Sequence, residues 1–302
     1  MKKLRMRLLI LFVLLLCSCT VESAIAPAFE LPPTNWKEDE TGRYYVNADG
    51  TRAIGWLEED AAKYYLDESG YMHTGWLELG GSTYYFREDG TMAQGAVTID
   101  GANYHFAADG TYVLLVNPWN PVPDGYAPDL VELSYYVAVS DCYADSTCAE
   151  ALTKMVQDCN ANTSTGVCIV SAYRSNEQQD ANFRRRQNIF MSEGLSEEEA
   201  YKKTLEMIAL PGTSEHHLGL AADIVDKGLV ELVEEQESTE GQKWLMANCY
   251  KYGFVLRYPK DKTEVTGIIY EPWHYRYVGV ELATHLHNSG LTLEEYMAGL
   301  TQ

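Results

Sequence analysis

Pro211 to Asp223 reads PGTSEHHLGLAAD, and Glu271-Pro272-Trp273-His274 follows some fifty residues later. The first stretch places His216 just ahead of Ala221–Val225, a short apolar run that carries Asp223 and has the pattern of a buried strand. Seven residues separate His216 from Asp223. That is enough chain to turn and bring an imidazole and a carboxylate to one point, and Gly219 leaves room for close backbone approach. His274 adds a second imidazole and Glu271 a spare carboxylate. Two histidines and one carboxylate are the donor inventory of a mononuclear zinc hydrolase. Three protein ligands leave one coordination position open for water, and a nearby base deprotonates it. Glu271 and His274 lie three residues apart within Tyr270–Val278, which is expected to form a longer strand. Positions i and i+3 of a strand face opposite sides, so the two converge only if that strand bends, and Pro272 forbids a normal ladder there.

The surroundings of this motif are mixed α/β from Asp129 to the C-terminus, the extent expected for the catalytic domain, residues 129–302. Leu152, Met155 and Val156 give Ala149–Asn160 a helical face. Val167–Ser171 is a β-branched strand and Phe254–Leu256 another short buried one. Ser175 with Gln178, Ser196 with Glu199, Thr239 with Gln242 and Thr292 with Glu295 fit capping boxes, so helices should begin near 176, 197, 240 and 293. The expected fold class is α+β, a small antiparallel sheet with surrounding helices. Cys142, Cys148, Cys159, Cys168 and Cys249 lie in this part. Their spacing does not match a zinc knuckle; Cys159 and Cys168 either bridge or, like the others, stay buried thiols. His73, His105, His285 and His287 are read as structural, and Arg184-Arg185-Arg186 as a solvated helix face.

Residues 35–113 are organised differently. Trp36, Trp56 and Trp76 recur every 20 residues, as do Tyr44-Tyr45, Tyr64-Tyr65 and Tyr84-Tyr85 and the glycines Gly50, Gly70, Gly90 and Gly110. Each unit reads as a short strand, a turn and an aromatic strand, a β-hairpin signal. One hairpin cannot bury its own face, so neighbours must stack into a small solenoid. The last unit is degenerate: Ala96 replaces the Trp and Tyr104-His105 the tyrosine pair, as in a capping unit. Residues 114–128, with four prolines, read as a linker that wraps onto the next domain.

The N-terminus is a targeting segment. Lys2, Lys3, Arg5 and Arg7 precede the unbroken apolar run Leu8–Leu16, too short for a comfortable membrane span. Leu16-Cys17-Ser18-Cys19 resembles a bacterial lipobox, which implies a lipoprotein signal over residues 1–18, lipidation of Cys19 and a tether over residues 19–34; the alternative is an ordinary secretory signal cut near Ala24 or Ala26. The net charge of −21 argues against a nucleic-acid partner, whose phosphates it would repel.

Two further resemblances rest on the motifs above. The repeats, with GWLELGGSTYYFREDGTMAQG at 75–95 as the best copy, resemble the choline- and glucan-binding repeats of Gram-positive surface proteins. The resemblance implies a cell-wall polymer as partner, choline-bearing teichoic acid or a glucan. Trp56, Tyr65, Trp76 and Tyr85 would supply the rings that cage a quaternary ammonium, with Met72 and Met92 as floor. Arg43, Lys63 and Thr83 stand where choline binders usually carry another Trp, and a cation there opposes a cationic ligand. The alternative is that the aromatics only build the stack.

SAYRS at 171–175, PGTSEHHLGLAADI at 211–224 and EPWHYRYVG at 271–279 resemble the VanY-type zinc D-alanyl-D-alanine carboxypeptidases, whose wider fold includes lysostaphin-type peptidases and the hedgehog domain. This implies His216, Asp223 and His274 as zinc ligands, Glu271 as catalytic base, and Arg174 binding the substrate's terminal carboxylate or the developing oxyanion. Gln179 and Ser214 add hydrogen bonds at the same end, and His217 is expected to be exposed. The implied activity is removal of the terminal D-alanine from peptidoglycan stem peptides by a lipid-anchored, wall-associated enzyme on the outer face of the bacterial membrane. An L,D-carboxypeptidase and a non-catalytic wall-binding protein are the alternatives.

Overall fold

The computed structural model describes residues 35–80, 82–134, 137–139 and 141–299. The signal segment, the tether and Cys19 lie outside the described residues.

Four β-hairpins open the structure: β1 (Trp36–Glu38) with β2 (Arg43–Tyr45), β3 (Gly55–Glu59) with β4 (Ala62–Leu66), β5 (Gly75–Leu79) with β6 (Ser82–Phe86), and β7 (Gly95–Ile99) with β8 (Ala102–Phe106). Each is a separate two-stranded antiparallel sheet. The 20-residue period of the sequence returns as a period of main-chain hydrogen bonds. Met72 N–H donates to Arg43 O, Met92 N–H to Lys63 O and Tyr112 N–H to Thr83 O, each bond shifted by one repeat and each joining successive hairpins. Leu66, Phe86 and Phe106, at the ends of β4, β6 and β8, are fully buried and form the spine of the stack. Gly90 and Gly110 have φ of +84° and +90°, and a Cβ at either would overlap the thioether of Met72 or Met92 respectively. Here glycine is demanded both by conformation and by the methionine packed beneath it.

The fourth hairpin does not end the stack as a free cap. Ala107, Val113 and Leu115 pack with Val255, Leu282, Leu286 and Met297 of the following domain in one apolar cluster. The degenerate unit has Ala96 in place of the tryptophan and His105 in place of the second tyrosine, and keeps Tyr104 and Phe106 for the stack. The proline-rich segment is bonded to the second half of the chain: Val122 N–H donates to Gly212 O, and Tyr126 Oη to Leu218 O.

The second half is α+β. β9 (Leu130–Glu132) pairs with β10 (Tyr143–Asp145), and then come α1 (Ser146–Asn162), β11 (Val167–Ser171), α2 (Asn176–Ser192), α3 (Glu197–Leu205), β12 (Ala221–Asp226), α4 (Glu240–Asn248), β13 (Phe254–Leu256), the short α5 (Thr263–Thr266), β14 (His274–Tyr277), α6 (Val280–Ser289) and α7 (Leu293–Gly299). β11, β12, β14 and β13 form an antiparallel sheet in that order. Its core is built from α1 (Leu152, Met155, Val156), β11 and β12 (Val167, Ile169, Ile224) and Tyr275. The four expected helix starts hold, and Ser175/Gln178 and Ser196/Glu199 make reciprocal capping boxes. All five described cysteines are free; four are buried and Cys168 half-buried. Burial pushes the thiols of Cys148 and Cys249 up to about 12, so they are packing groups rather than nucleophiles.

Candidate metal centre and substrate cleft

β12 is buried along its whole length, and Asp223 lies directly across from His274 in the β12–β14 register. Two residues paired across antiparallel strands project to the same face, so strand pairing alone sets the carboxylate beside one imidazole. His274 Nδ1 is 3.0 Å from Asp223 Oδ1. The expected long strand over Tyr270–Val278 is shorter, beginning only at His274. Glu271-Pro272-Trp273 is a turn closed by His274 N–H donating to Glu271 O at 3.2 Å. Proline suits such a turn, and the turn brings Glu271 Oε2 to 3.8 Å from His274 Nδ1, an approach a straight strand forbids.

His216 arrives from the other side on a single 3-10 turn, Glu215–Leu218. Gly219 ends that turn with φ of +70°, and a side chain there would meet Asp145 N at 2.9 Å. His216 Nδ1 donates to Ala172 O at 2.5 Å, which leaves Nε2 as the lone-pair nitrogen, 3.3 Å from Asp223 Oδ2. The donor atoms of His216, Asp223 and His274 lie within 4.8 Å of one another, and all three residues are buried.

Bond lengths of about 2.0–2.2 Å in a tetrahedral zinc site put ligand atoms roughly 3.4 Å apart, and the Asp223 contacts to the two imidazoles match that spacing. His216 Nε2 has no hydrogen-bond partner although it is buried. An unpartnered buried lone pair beside a carboxylate is what a cation would satisfy. The residues present therefore fit a divalent metal of the zinc type.

Electrostatics follow from burial and crowding. Burial and the neighbouring Arg174 guanidinium push His216 down to about 4, which favours the neutral imidazole. Burial raises Glu271 to about 8, aided by the Asp223 charge and opposed by His274 and Arg174. Burial also works against a charge on His274, but the hydrogen bond to Asp223 and the Glu215 carboxylate 3.6 Å from Nε2 outweigh it and lift the imidazole to about 9. Asp223 stays ionised: burial opposes its charge, and His216 and His274 overcome that.

These groups lie at the bottom of a cleft of about 340 Å3 whose walls include Arg174, Gln179, Ser214, Tyr258 and Trp273. Arg174 sits just before the Ser175 cap of α2, and its N–H donates to His216 O at 3.1 Å. Its guanidinium reaches 3.8 Å from Asp223 Oδ2, and its Nε has no partner. Gln179 is buried; its Nε2 donates to Ala209 O at 2.6 Å and its Oε1 is unpartnered. His217 is not exposed, as the sequence suggested, but 92% buried, since only 8% of its surface remains. It accepts from Gly212 N–H at 3.0 Å and its Nδ1 donates to Arg174 O at 2.7 Å, tying the 211–217 loop to the arginine. Arg184 and Arg185 are exposed as expected, while Arg186 is half-buried; Arg185 and Arg186 line the cleft mouth. Sequence reasoning missed Tyr258, whose ring lies 4.8 Å from that of His274, and Glu215, discussed below. Glu215 at least lay inside the motif; Tyr258 had no signal.

In the repeats, Trp56 meets Tyr65 of its own hairpin at 5.5 Å and Tyr84 and Phe86 of the next at 5.1 and 5.9 Å. Trp76 repeats the pattern with Tyr85, Tyr104 and Phe106. The rings named from sequence are thus brought together, with partners from the adjacent unit added. Trp56 and Trp76 remain 45% and 40% exposed, so one side of each cluster faces solvent. In the first unit the chain supplies its own cation: the Arg52 guanidinium lies 3.8 Å from the Tyr44 ring and 4.7 Å from that of Tyr71, paired with Asp39. Arg43 similarly covers Trp36 at 5.1 Å.

Three buried donors with a raised carboxyl group beside them, in a cleft with an arginine at its end, define a metallohydrolase-type site. Residues 141–280 match the family model VanY: D-alanyl-D-alanine carboxypeptidase. Residues 73–113 match a choline-binding repeat and 54–72 a putative cell wall binding repeat. A D-alanyl-D-alanine carboxypeptidase of Enterococcus faecalis is 37% identical over 188 residues, which cover 61% of this chain and 65% of that one. Among solved structures, a variant of the vancomycin-resistance D,D-pentapeptidase VanY from a VanB-type cassette, in complex with Zn(II), superposes with a TM-score of 0.55 at 37% identity, covering 61% of this chain and 97% of that one. The LD-carboxypeptidase LdcB superposes with a TM-score of 0.53 at 35% identity, covering 68% and 94%. The chain belongs to the VanY D-alanyl-D-alanine carboxypeptidase family and carries cell-wall-binding repeats ahead of that domain. It spans just under two thirds of the length of the curated enterococcal relative it matches.

Proposed function

We propose that this chain is a zinc-dependent D,D-carboxypeptidase that removes the terminal D-alanine from peptidoglycan stem peptides at the cell surface. The observation that carries the proposal is the convergence of His216, Asp223, His274 and Glu271 at the bottom of a cleft that also holds Arg174. His216 Nε2, the Asp223 carboxylate and His274 Nδ1 would hold Zn2+. When bound, Zn2+ supplies Lewis acidity and makes a water nucleophile available near neutral pH. Glu271 takes the proton as water attacks the penultimate carbonyl and passes it to the departing D-alanine amine. A divalent cation nearby favours the ionised form that a base needs. Arg174 pairs with the substrate's terminal carboxylate, and Gln179 Oε1 and Ser214 offer hydrogen bonds beside it. His217, by fixing the Arg174 carbonyl, keeps that end in register with the metal ligands.

The repeats hold the enzyme at its polymeric substrate and raise the local concentration of stem peptides. Their ligand is a wall polymer, choline-bearing teichoic acid or glucan, and a lipid on Cys19 tethers the chain to the membrane. Among the described residues no helix is long and apolar enough to cross a membrane. The similarity to LdcB favours one second reading, an L,D-carboxypeptidase acting on tetrapeptide stems.

The test is D-alanine release from a pentapeptide ending in D-Ala-D-Ala, with zinc, with a chelator, and with Glu271→Ala. Release that needs zinc and Glu271 supports the D,D-reading; release only from the tetrapeptide replaces it with the L,D-reading. Zinc binding without turnover on either would leave a wall-binding protein.

A further inference from the structure

Glu215 is the most enclosed carboxylate near the site, with no exposed side-chain surface. Its Oε1 accepts from Arg257 Nε at 2.8 Å and from Arg276 Nη1 at 2.9 Å. Its Oε2 has no hydrogen-bond partner and lies 3.6 Å from His274 Nε2, itself buried and unpartnered. Two orphaned buried atoms, an acceptor and a potential donor, therefore face each other across a gap that a small shift closes into a hydrogen bond.

The two arginines are themselves fixed. Arg257 makes a bidentate pair with Glu294 on α7, at 2.8 and 2.5 Å. Arg276 donates to Leu114 O at 2.8 Å and Tyr277 O at 2.9 Å. Asn117, in the segment that joins the repeats to the catalytic half, donates to Glu294 at 3.1 Å. Glu215, Glu294, Arg257 and Arg276 form a charge-balanced group of four, so Glu215 can be buried as an anion without an uncompensated charge.

We propose that Glu215 is a positioning residue for the metal site: it accepts the Nε2 proton of His274 and so presents the Nδ1 lone pair of His274 to the metal. This rests on the zinc reading of the site. An imidazole has one lone pair when neutral, and the partner of its second nitrogen decides which nitrogen offers it. Asp223 lies on the Nδ1 side of His274 and Glu215 on the Nε2 side, so the geometry separates ligation from orientation. The brace runs from α7 and the 114–117 segment through both arginines to Glu215, and from there to one metal ligand.

Glu215→Gln isolates this role. Arg257 and Arg276 both donate, so they hold the amide oxygen, and the NH2 is left facing His274 Nε2. Two donors then oppose each other, and His274 loses the tautomer that ligation needs. In the full chain, the zinc dissociation constant measured by chelator competition should rise about 10–100-fold, the range typical for loss of such a partner, while circular dichroism stays unchanged. Unchanged zinc affinity in folded Glu215→Gln overturns the proposal. If the variant does not fold, 15N-histidine NMR of the unaltered zinc-loaded chain decides: a proton on His274 Nε2 supports the proposal, and metal on Nε2 with the proton on Nδ1 overturns it. Wild-type chain that binds zinc but hydrolyses no stem peptide would defeat the activity proposed above and leave this inference standing. Failure of the wild-type chain to bind zinc would defeat both.

Discussion

The repeats and the catalytic domain solve opposite problems. Among the described residues of 35–113 no polar side chain is fully buried, and the stack is held by tryptophan, tyrosine and phenylalanine rings and by hydrogen bonds that recur every 20 residues. The catalytic half buries Gln179, Glu215, His216, Asp223, Arg257, His274 and Arg276. Burying such groups costs free energy unless each is paired, and the pairs come from positions far apart in sequence. A repeat is thus stabilised by near neighbours and tolerant of local change. The site is a set of mutual obligations in which one substitution strands several partners.

The sharpest test of that contrast is Glu271→Ala. Hydrolysis should fall about 10²–10⁴-fold, the usual contribution of a general base, with zinc affinity and retention on isolated cell walls unchanged; loss of wall retention as well would mean the two halves are functionally coupled. The converse substitution is Trp76→Ala, which removes a ring that touches two hairpins. The ring is partly exposed, so the cost should be about 2 kcal/mol rather than the ~3–5 kcal/mol of a fully buried aromatic. Wall retention should drop while kcat/KM on a soluble pentapeptide holds, measured side by side.

Acid should separate the halves in another way. Burial opposes the charge on Glu215, but Arg257 and Arg276 outweigh it and hold the carboxyl well below its ordinary 4.5. The unfolded chain therefore takes up this proton at higher pH than the folded one. The stabilisation is complete above pH 4.5 and is lost as pH falls below it. Urea melts should show stability falling by at most about 1.4 kcal/mol per pH unit from this group, and Glu215→Gln should flatten that limb. Gly110→Ala forces a Cβ onto a positive φ and into the space of Met92 Sδ, and should lower thermal stability by about 1–2 kcal/mol with no change in zinc binding.

Much of the repeat region was legible because its partners lie one period apart, so a pattern in the sequence is also a pattern in space. The His216–Asp223 pairing was legible for a related reason: a loop and a strand seven residues long can meet in few ways. The Glu271–His274 contact was not, since strand periodicity denied it and only the turn through Pro272 allowed it. His217 misled because a polar neighbour of a ligand looks like a surface residue. Its burial comes from the Arg174 carbonyl and the Gly212 amide, which the sequence places 43 and 5 positions away.

The sequence by itself determined the aromatic period, the helix starts set by Ser175, Ser196 and Thr239, and the donor set His216, Asp223 and His274. Side-chain type, spacing and capping are local properties, and local properties can be read from a string. Only the tertiary structure decided that the Ala172 carbonyl takes Nδ1 of His216, that Arg257 and Arg276 surround Glu215, and that the chain just after the fourth hairpin packs against α6 and α7 instead of ending the stack free. Those outcomes depend on the pairing of groups tens to more than a hundred residues apart, which the cost of burying unpaired charge selects and no short-range pattern records.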